Sequence, residues 1–323
     1  MVDYISIYLF TVVLVSFNQL SSSLRNLKPV KLSNQFGKSY SLKIRNHLIP
    51  LFQREVIVWL PPNYTTDESK KHPVLYCHDG QNMIDDTDSW LGTSWDMTNC
   101  VTKMIEKNEI QSPILVIIPN SDRFRYIEYD YGPVAESFVD WMADVLKPEI
   151  NKNFNVKEEA ASNFQLGSSL GGTISMLATY YRSDSFGGCA CLSPSFNAPL
   201  IADVALNEKF RKNSKCGNVK IFISNGGDDE ELDVRVNPFD NIELDWNNEN
   251  GILPTANIKV KGFFWLDTNL QSGIDSMLNA LKFSAGMKVN GDRLQYKKYP
   301  GDAHNEVAWK KRVREPLLFL FKK

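Results

Sequence analysis

Strands alternating with amphipathic helices predict an α/β fold, with a mostly parallel sheet covered on both faces and an antiparallel strand pair at its entrance. Three observations carry this expectation. Short, nearly continuous apolar runs at 73–77 and 113–118 have the composition of strands buried on both sides, and further strands follow at 188–192, 219–224 and 293–299. Segments of helical periodicity lie between such runs, at 98–106, 136–146 and 273–281. The chain has 323 residues, 43% hydrophobic and 23% charged, enough to bury a large core in one domain.

Taken in order, the elements begin with a leader. Residues 4–17 form an uncharged, mostly apolar run followed by a polar, small-residue stretch at 18–23. A bilayer span needs roughly 20 apolar residues and a secretory h-region only about 7 to 15, so residues 1–23 read as a signal peptide preceding a domain over 24–323. Asp3 and the lack of Lys or Arg before the run make the n-region atypical. A membrane-tethered N-terminus or a buried strand are the alternatives, and a cytoplasmic location is the alternative to secretion. Residues 42–47 and 53–60 read as the antiparallel pair, the second strand stopped by Pro61 and Pro62. Asn63-Tyr64-Thr65 is a glycosylation sequon that turn chemistry explains equally well.

Within 136–146, Phe138, Trp141, Met142, Val145 and Leu146 share one face, and Pro148 is expected to end the helix. The last strand is expected at 293–299. A final helix from Asn305 turns Trp309, Val313, Leu317 and Leu320 inward and is expected to kink or break at Pro316. One segment departs from the rhythm. Residues 232–267 are Asn-rich and then apolar, with Phe263, Phe264 and Trp265, and read either as an inserted cap beside a site or as a surface excursion packed on the sheet edge.

The cysteines are Cys77, Cys100, Cys189, Cys191 and Cys216. Alternate strand residues share a face and one intervening residue is a poor zinc spacing, so Cys189 and Cys191 are expected to be small buried strand residues. If the chain is exported, one disulfide involving Cys100 or Cys216 is open. A net charge of −2 and no long basic run give no footprint for nucleic acid or an anionic membrane.

The chemistry centres on Gly167-Ser168-Ser169-Leu170-Gly171, which follows the apolar run from Phe164 and precedes a helix with Ile174, Leu177, Ala178 and Tyr181 on one face. Only Ser169 has glycine at both minus two and plus two, the nucleophile position of an elbow that lifts a hydroxyl above the carboxyl end of a sheet. The helix behind it aims its positive end at the turn.

A serine hydroxyl needs a base within hydrogen-bond reach. Of the four histidines, His47 and His72 flank strands in polar surroundings and are expected at the surface. His78 opens His78-Asp79-Gly80-Gln81-Asn82, a glycine turn at a strand's carboxyl end, and reads as a loop-orienting group. His304 lies in Gly301-Asp302-Ala303-His304-Asn305-Glu306, a loop that can deliver an imidazole to the top of the sheet, and is the expected base. The acid that holds its tautomer should follow a strand between serine and histidine. Asn225-Gly226-Gly227-Asp228-Asp229-Glu230-Glu231 does so without the alternation of a calcium loop, and no metal is expected. The order serine, acid, histidine is that of α/β-hydrolases.

These residues carry a resemblance. The chain from about residue 40 onward resembles the putative esterase family of α/β-hydrolases, which includes ferric enterobactin (siderophore) esterases, feruloyl esterases and mycolyltransferases. The likeness rests on Val58-Trp59-Leu60-Pro61-Pro62-Asn63-Tyr64, Tyr76 to Asn82, the Trp95 segment, Asn120 to Tyr129, Gly167 to Gly172, Leu192 to Phe196, and Gly301 to Glu306 with Trp309. It implies an α/β-hydrolase fold and a triad of Ser169, an acid and His304. It also implies an oxyanion hole from the backbone N–H of Leu170 and of a residue in the 78–81 loop, taken as Gln81. The family's Gly-x-x-acid pattern counted from Gly226 selects Asp229. Asp228 is the runner-up, and Glu230 follows if the count starts at Gly227. His78, Trp95 and Arg125 are candidate substrate contacts, with an Arg125–Glu128 structural pair as the alternative for Arg125. The expectation is a serine esterase acting on a small-molecule ester without cofactor. An acyltransferase and a non-catalytic binding protein on the same fold are the rivals.

Overall fold

The computed structural model describes residues 27–32, 36–44, 54–207, 218–227 and 268–323. The leader, the 232–267 segment, His47, Cys216, Asp228, Asp229 and Glu230 lie outside the described residues.

Among the described residues nine strands form one sheet: β1 (Lys28–Val30), β2 (Lys38–Ile44), β3 (Arg54–Leu60), β4 (Val74–Cys77), β5 (Ile114–Ile117), β6 (Asn163–Ser168), β7 (Gly188–Leu192), β8 (Lys220–Asn225) and β9 (Leu294–Lys298). Their order is β1-β2-β3-β5-β4-β6-β7-β8-β9. Every neighbouring pair from β5 across to β9 is parallel, and the pairs β1–β2, β2–β3 and β3–β5 are antiparallel. The fold is thus the α/β-hydrolase type of mixed, mostly parallel sheet. The expected antiparallel pair is extended by a third strand, β1, too short and too proline-bound to register as a periodic run.

The helices are α1 (Met97–Glu106), α2 (Arg125–Tyr129), α3 (Pro133–Trp141), α4 (Lys147–Asn153), α5 (Leu170–Tyr181), α6 (Ala198–Leu206), α7 (Thr268–Ala285), α8 (Glu306–Arg312) and α9 (Arg314–Phe321). Side chains alternate across the central strands. Val74 and Tyr76 of β4 face the core shared with α3, α5, α6 and α7, while Leu75 and Cys77 face the core shared with α1 and α9. Cys189 and Cys191 point the same way, with their sulfurs 3.7 Å apart as free, buried thiols.

Two prolines act differently from the sequence expectation. Pro148 does not end a helix. A single π turn, Met142–Leu146, joins α3 to α4, and the widened turn accommodates a ring that would otherwise meet the carbonyl four residues back. At the C-terminus the break falls at Val313, ahead of Pro316, which sits in the first turn of α9 where its missing N–H costs least. His72 is also not at the surface. It is 5% exposed, stacks on Tyr64 and has Nδ1 2.8 Å from the Ser112 carbonyl oxygen.

Candidate active site

The chain leaves β4 toward β5 on one side, and β6 lies on the other, so a crevice opens at the carboxyl ends of β4 and β6. Both ends turn sharply there. Ser169 has φ 55° and ψ −127°, a conformation L-residues rarely adopt, and forms the junction between β6 and α5. Its glycine neighbours are sterically required. A Cβ on Gly167 would stand 2.4 Å from the Gly171 carbonyl oxygen, and one on Gly171 would stand 2.6 Å from Oδ2 of Asp79. The turn is held from behind, since Ser169 N–H donates to Leu192 O at 3.0 Å and Ser195 N–H donates to Ser169 O at 3.3 Å. Ser169 is half-buried, whereas Ser168 is the buried last residue of β6.

The turn beyond β4 is fixed with equal care. His78 N–H donates to Leu166 O at 2.9 Å and Gly80 N–H donates to Ile118 O at 2.8 Å. Gly80 has no room for a side chain, because a Cβ would lie 2.8 Å from the Ile118 backbone. Asp79 adopts the left-handed conformation at φ 53°. Its carboxylate takes a two-pronged ion pair from Arg125, Nε to Oδ1 at 2.6 Å and Nη2 to Oδ2 at 2.8 Å, and a further hydrogen bond from Asn120 Nδ2 at 2.7 Å. Burial alone would raise the Asp79 pKa; the guanidinium and these hydrogen bonds outweigh it and hold the carboxyl below its ordinary range. Gln81 and Leu170 follow, half-buried, on the two sides of the crevice. Among the described residues neither of their amides has a backbone acceptor, the state required of an oxyanion donor.

His304 follows β9 and precedes α8, half-buried, with its ring edge-on to Trp309 at 5.0 Å. Asn305 caps α8 by accepting from Ala308 N–H at 3.1 Å. Two links bind this segment to the rest. Asn82 Nδ2 donates to Glu306 Oε1 at 3.2 Å, and the Ser193 hydroxyl accepts from Arg312 Nη2 at 2.6 Å. Glu306 is 5% exposed, and burial, with Asp79 nearby, raises its pKa. Gly227, which precedes the acids in sequence, donates its N–H to Asp302 O at 2.9 Å, two residues before His304. The acids that follow Gly227 lie outside the described residues.

Three sequence expectations change here. Arg125 pairs with Asp79 and not with Glu128, which instead meets Arg54 in a buried pair, with Arg54 Nη1 also donating to Pro119 O at 2.7 Å. His78 is completely buried, 2.8 Å from Gln165 Oε1 and edge-on to Tyr129, so it presents no surface to the crevice and sits as a loop-orienting group would. Trp95 is 1% exposed and packs on Trp309 at 5.8 Å, backing the wall that carries His304. Asn82, Ser193 and Glu306 stand within the quoted motifs and Arg312 outside them, and the sequence assigns none of the four a role. Their partners lie far along the chain, which no local pattern shows.

Residues 52–250 match the family described as Putative esterase. The chain belongs to this family. Ester hydrolysis is the activity that membership supports. A curated relative, the uncharacterized protein YbbA of Bacillus subtilis (strain 168), is 26% identical over 181 residues, 54% of this chain and 69% of its own. Among solved structures, the ferulic acid esterase of Anaeromyces mucronatus superposes with a TM-score of 0.56 at 15% identity, covering 92% of this chain and 95% of its own. The enterobactin esterase of Shigella flexneri gives 0.55 at 13% identity, covering 90% of this chain and 60% of its own. At such identities the structural likeness establishes the shared fold. Among the described residues no helix is long and apolar enough to cross a membrane, and no group of three or more His, Cys, Asp or Glu could hold a metal ion.

Proposed function

We propose that this chain is a serine esterase that cleaves a small carboxylic ester through an acyl-enzyme, with Ser169 as nucleophile, His304 as general base and Asp229 as the acid behind it. The observation that carries the reading is the strained Ser169 turn, which forces a hydroxyl above the sheet at the N-terminus of α5, across a crevice from the Gly80 turn. In the first half-reaction the Ser169 Oγ–carbonyl carbon bond forms as His304 takes the hydroxyl proton. The carbon–alkoxy bond then breaks, and that proton passes to the departing alcohol. Water repeats the sequence on the acyl-enzyme and releases the acid. The negative oxygen of each tetrahedral intermediate would lie between the amides of Leu170 and Gln81, with the positive end of α5 behind it. The chemistry calls for no cofactor. The apolar leader supports export, which the N-terminal sequence of the mature protein from its native host would decide.

Ser169→Ala and His304→Ala should each lower kcat on p-nitrophenyl acetate by about 10⁴ to 10⁶, because nucleophile and base act as one unit. Both variants should keep the wild-type melting temperature, and Ser168→Ala should be mild. A Ser169→Ala protein that retains a substantial fraction of wild-type turnover overturns the assignment.

A further inference from the structure

We infer that the Asp79–Arg125 ion pair positions the oxyanion-binding amides, so that Arg125 acts on the reaction through Asp79 and not as a contact to substrate. The inference rests on the serine esterase reading and concerns how its oxyanion hole is assembled. The two proposed donors come from separate elements, Leu170 at the start of α5 and Gln81 in the turn beyond β4. Asp79 touches both. Its Oδ2 lies where a Cβ on Gly171 would come within 2.6 Å, against the first turn of α5. Its backbone occupies the left-handed region two residues before Gln81, and its carbonyl accepts from Asn82 N–H at 2.9 Å, closing the turn that carries the Gln81 amide.

A left-handed backbone at a non-glycine residue persists only where its surroundings determine it. Here the fork of Arg125 and the amide of Asn120 clamp both carboxylate oxygens, and Asp79 N–H donates to the Tyr129 hydroxyl at 3.3 Å. Arg125 is itself steadied, with its guanidinium carbon 5.5 Å from the Tyr129 ring centroid. The Asp79 side chain is 5% exposed and that of Arg125 is 28% exposed, so the pair is largely withdrawn from water. A two-pronged pair of this kind fixes direction as well as distance. The separation between the Gln81 amide and α5 is therefore set by a carboxylate wedged between them.

The test compares wild type, Asp79→Asn, Arg125→Lys, Arg125→Ala and Asp79→Asn/Arg125→Ala on a neutral ester, p-nitrophenyl acetate, and an anionic one, p-nitrophenyl succinate. Misplaced amides weaken the transition state and leave ground-state binding alone. Arg125→Ala should therefore lower kcat by about 10- to 100-fold on both esters. KM should stay within about two-fold. Arg125→Lys, which keeps the charge but loses the fork, should not restore kcat. The double variant should be no slower than the worse single one, since both break one unit. Melting curves set the temperature at which every variant is folded, and Arg125→Lys covers the case in which Arg125→Ala fails to fold. A rise in KM confined to the succinate ester with kcat preserved would make Arg125 a substrate contact and overturn the inference. So would multiplicative losses in the double variant, or a lowered melting temperature with wild-type kcat. Failure of the esterase reading shows separately, as Ser169→Ala activity equal to wild type.

Discussion

At the scale of single residues, the site is decided by what cannot be larger and what cannot be elsewhere. Gly167 and Gly171 leave room for a backbone turn that places Ser169 in a conformation most residues avoid, and Asp79 fills the space that Gly171 leaves. This part of the site was legible in the sequence, because a requirement for glycine is local and shows as spacing. The Asp79–Arg125 pair was not. Its partners stand 46 positions apart, and the nearer acid, Glu128, is claimed by Arg54 from β3. Choice of the acid in the proposed triad belongs to this scale as well. Gly227, at φ 81°, turns back to donate to Asp302 O, two residues before His304. Asp229→Asn should lower kcat by about 10⁴, since the amide keeps the shape but loses the charge that stabilises the imidazolium. Asp228→Asn should remain near wild type. Steady-state kinetics of the two purified variants decide between them, and the reverse result shifts the acid by one position.

At the scale of elements, the strands and most helices were readable because burial on both faces leaves continuous apolar runs and burial on one face leaves a helical stripe. What escaped was set by neighbours. β1 is a strand only because Lys28–Val30 lies along β2, and Pro148 stays helical only because a π turn precedes it. His72 looked polar and exposed in sequence, yet Ser112 and Tyr64 enclose it. The end of β4 carries a measurable consequence. Burial of His78 lowers its pKa to about 4, against a smaller opposing effect of its hydrogen bond with Gln165. Between that value and the ordinary histidine pKa of about 6.5, the unfolded chain binds the proton and the folded chain does not. The stability His78 contributes is thus complete above about pH 6.5 and falls as pH drops toward 4, at most by about 1.4 kcal/mol per pH unit. His72 titrates in the same direction, also through burial. Urea unfolding of wild type and His78→Gln at a series of pH values should give a flatter dependence in the variant across that window; parallel curves would remove His78 as a source of acid sensitivity.

At the scale of the whole molecule, the sheet separates two cores with different duties. The core under α3, α5, α6 and α7 supports the helix behind Ser169, while β6 turns Phe164 and Leu166 into the opposite core. The opposite core, closed by α1 and α9, includes Trp95 and Trp309 and so reaches the wall on which His304 rests. Stability and catalysis should therefore come apart within that second core. Phe321 is fully buried at its far end, edge-on to Phe164 of β6 at 5.1 Å, and its carbonyl accepts from Gln111 N–H at 2.8 Å. Phe321→Ala should cost about 3 to 5 kcal/mol from lost transfer energy and the cavity left behind. Its kcat, measured well below the melting transition, should match wild type. Trp309 occupies the same core but packs at a tilt against Trp95, approaches Ser193 Oγ with Nε1 at 3.5 Å and bears on His304. Trp309→Leu should lower kcat by about tenfold or more at a smaller cost in stability, because an imidazole displaced by even one ångström meets the serine proton poorly. Thermal melts paired with kcat for the two variants separate the effects. Equal kcat losses in both would mean that the second core acts on the site as one rigid body and that Trp309 has no particular hold on the histidine.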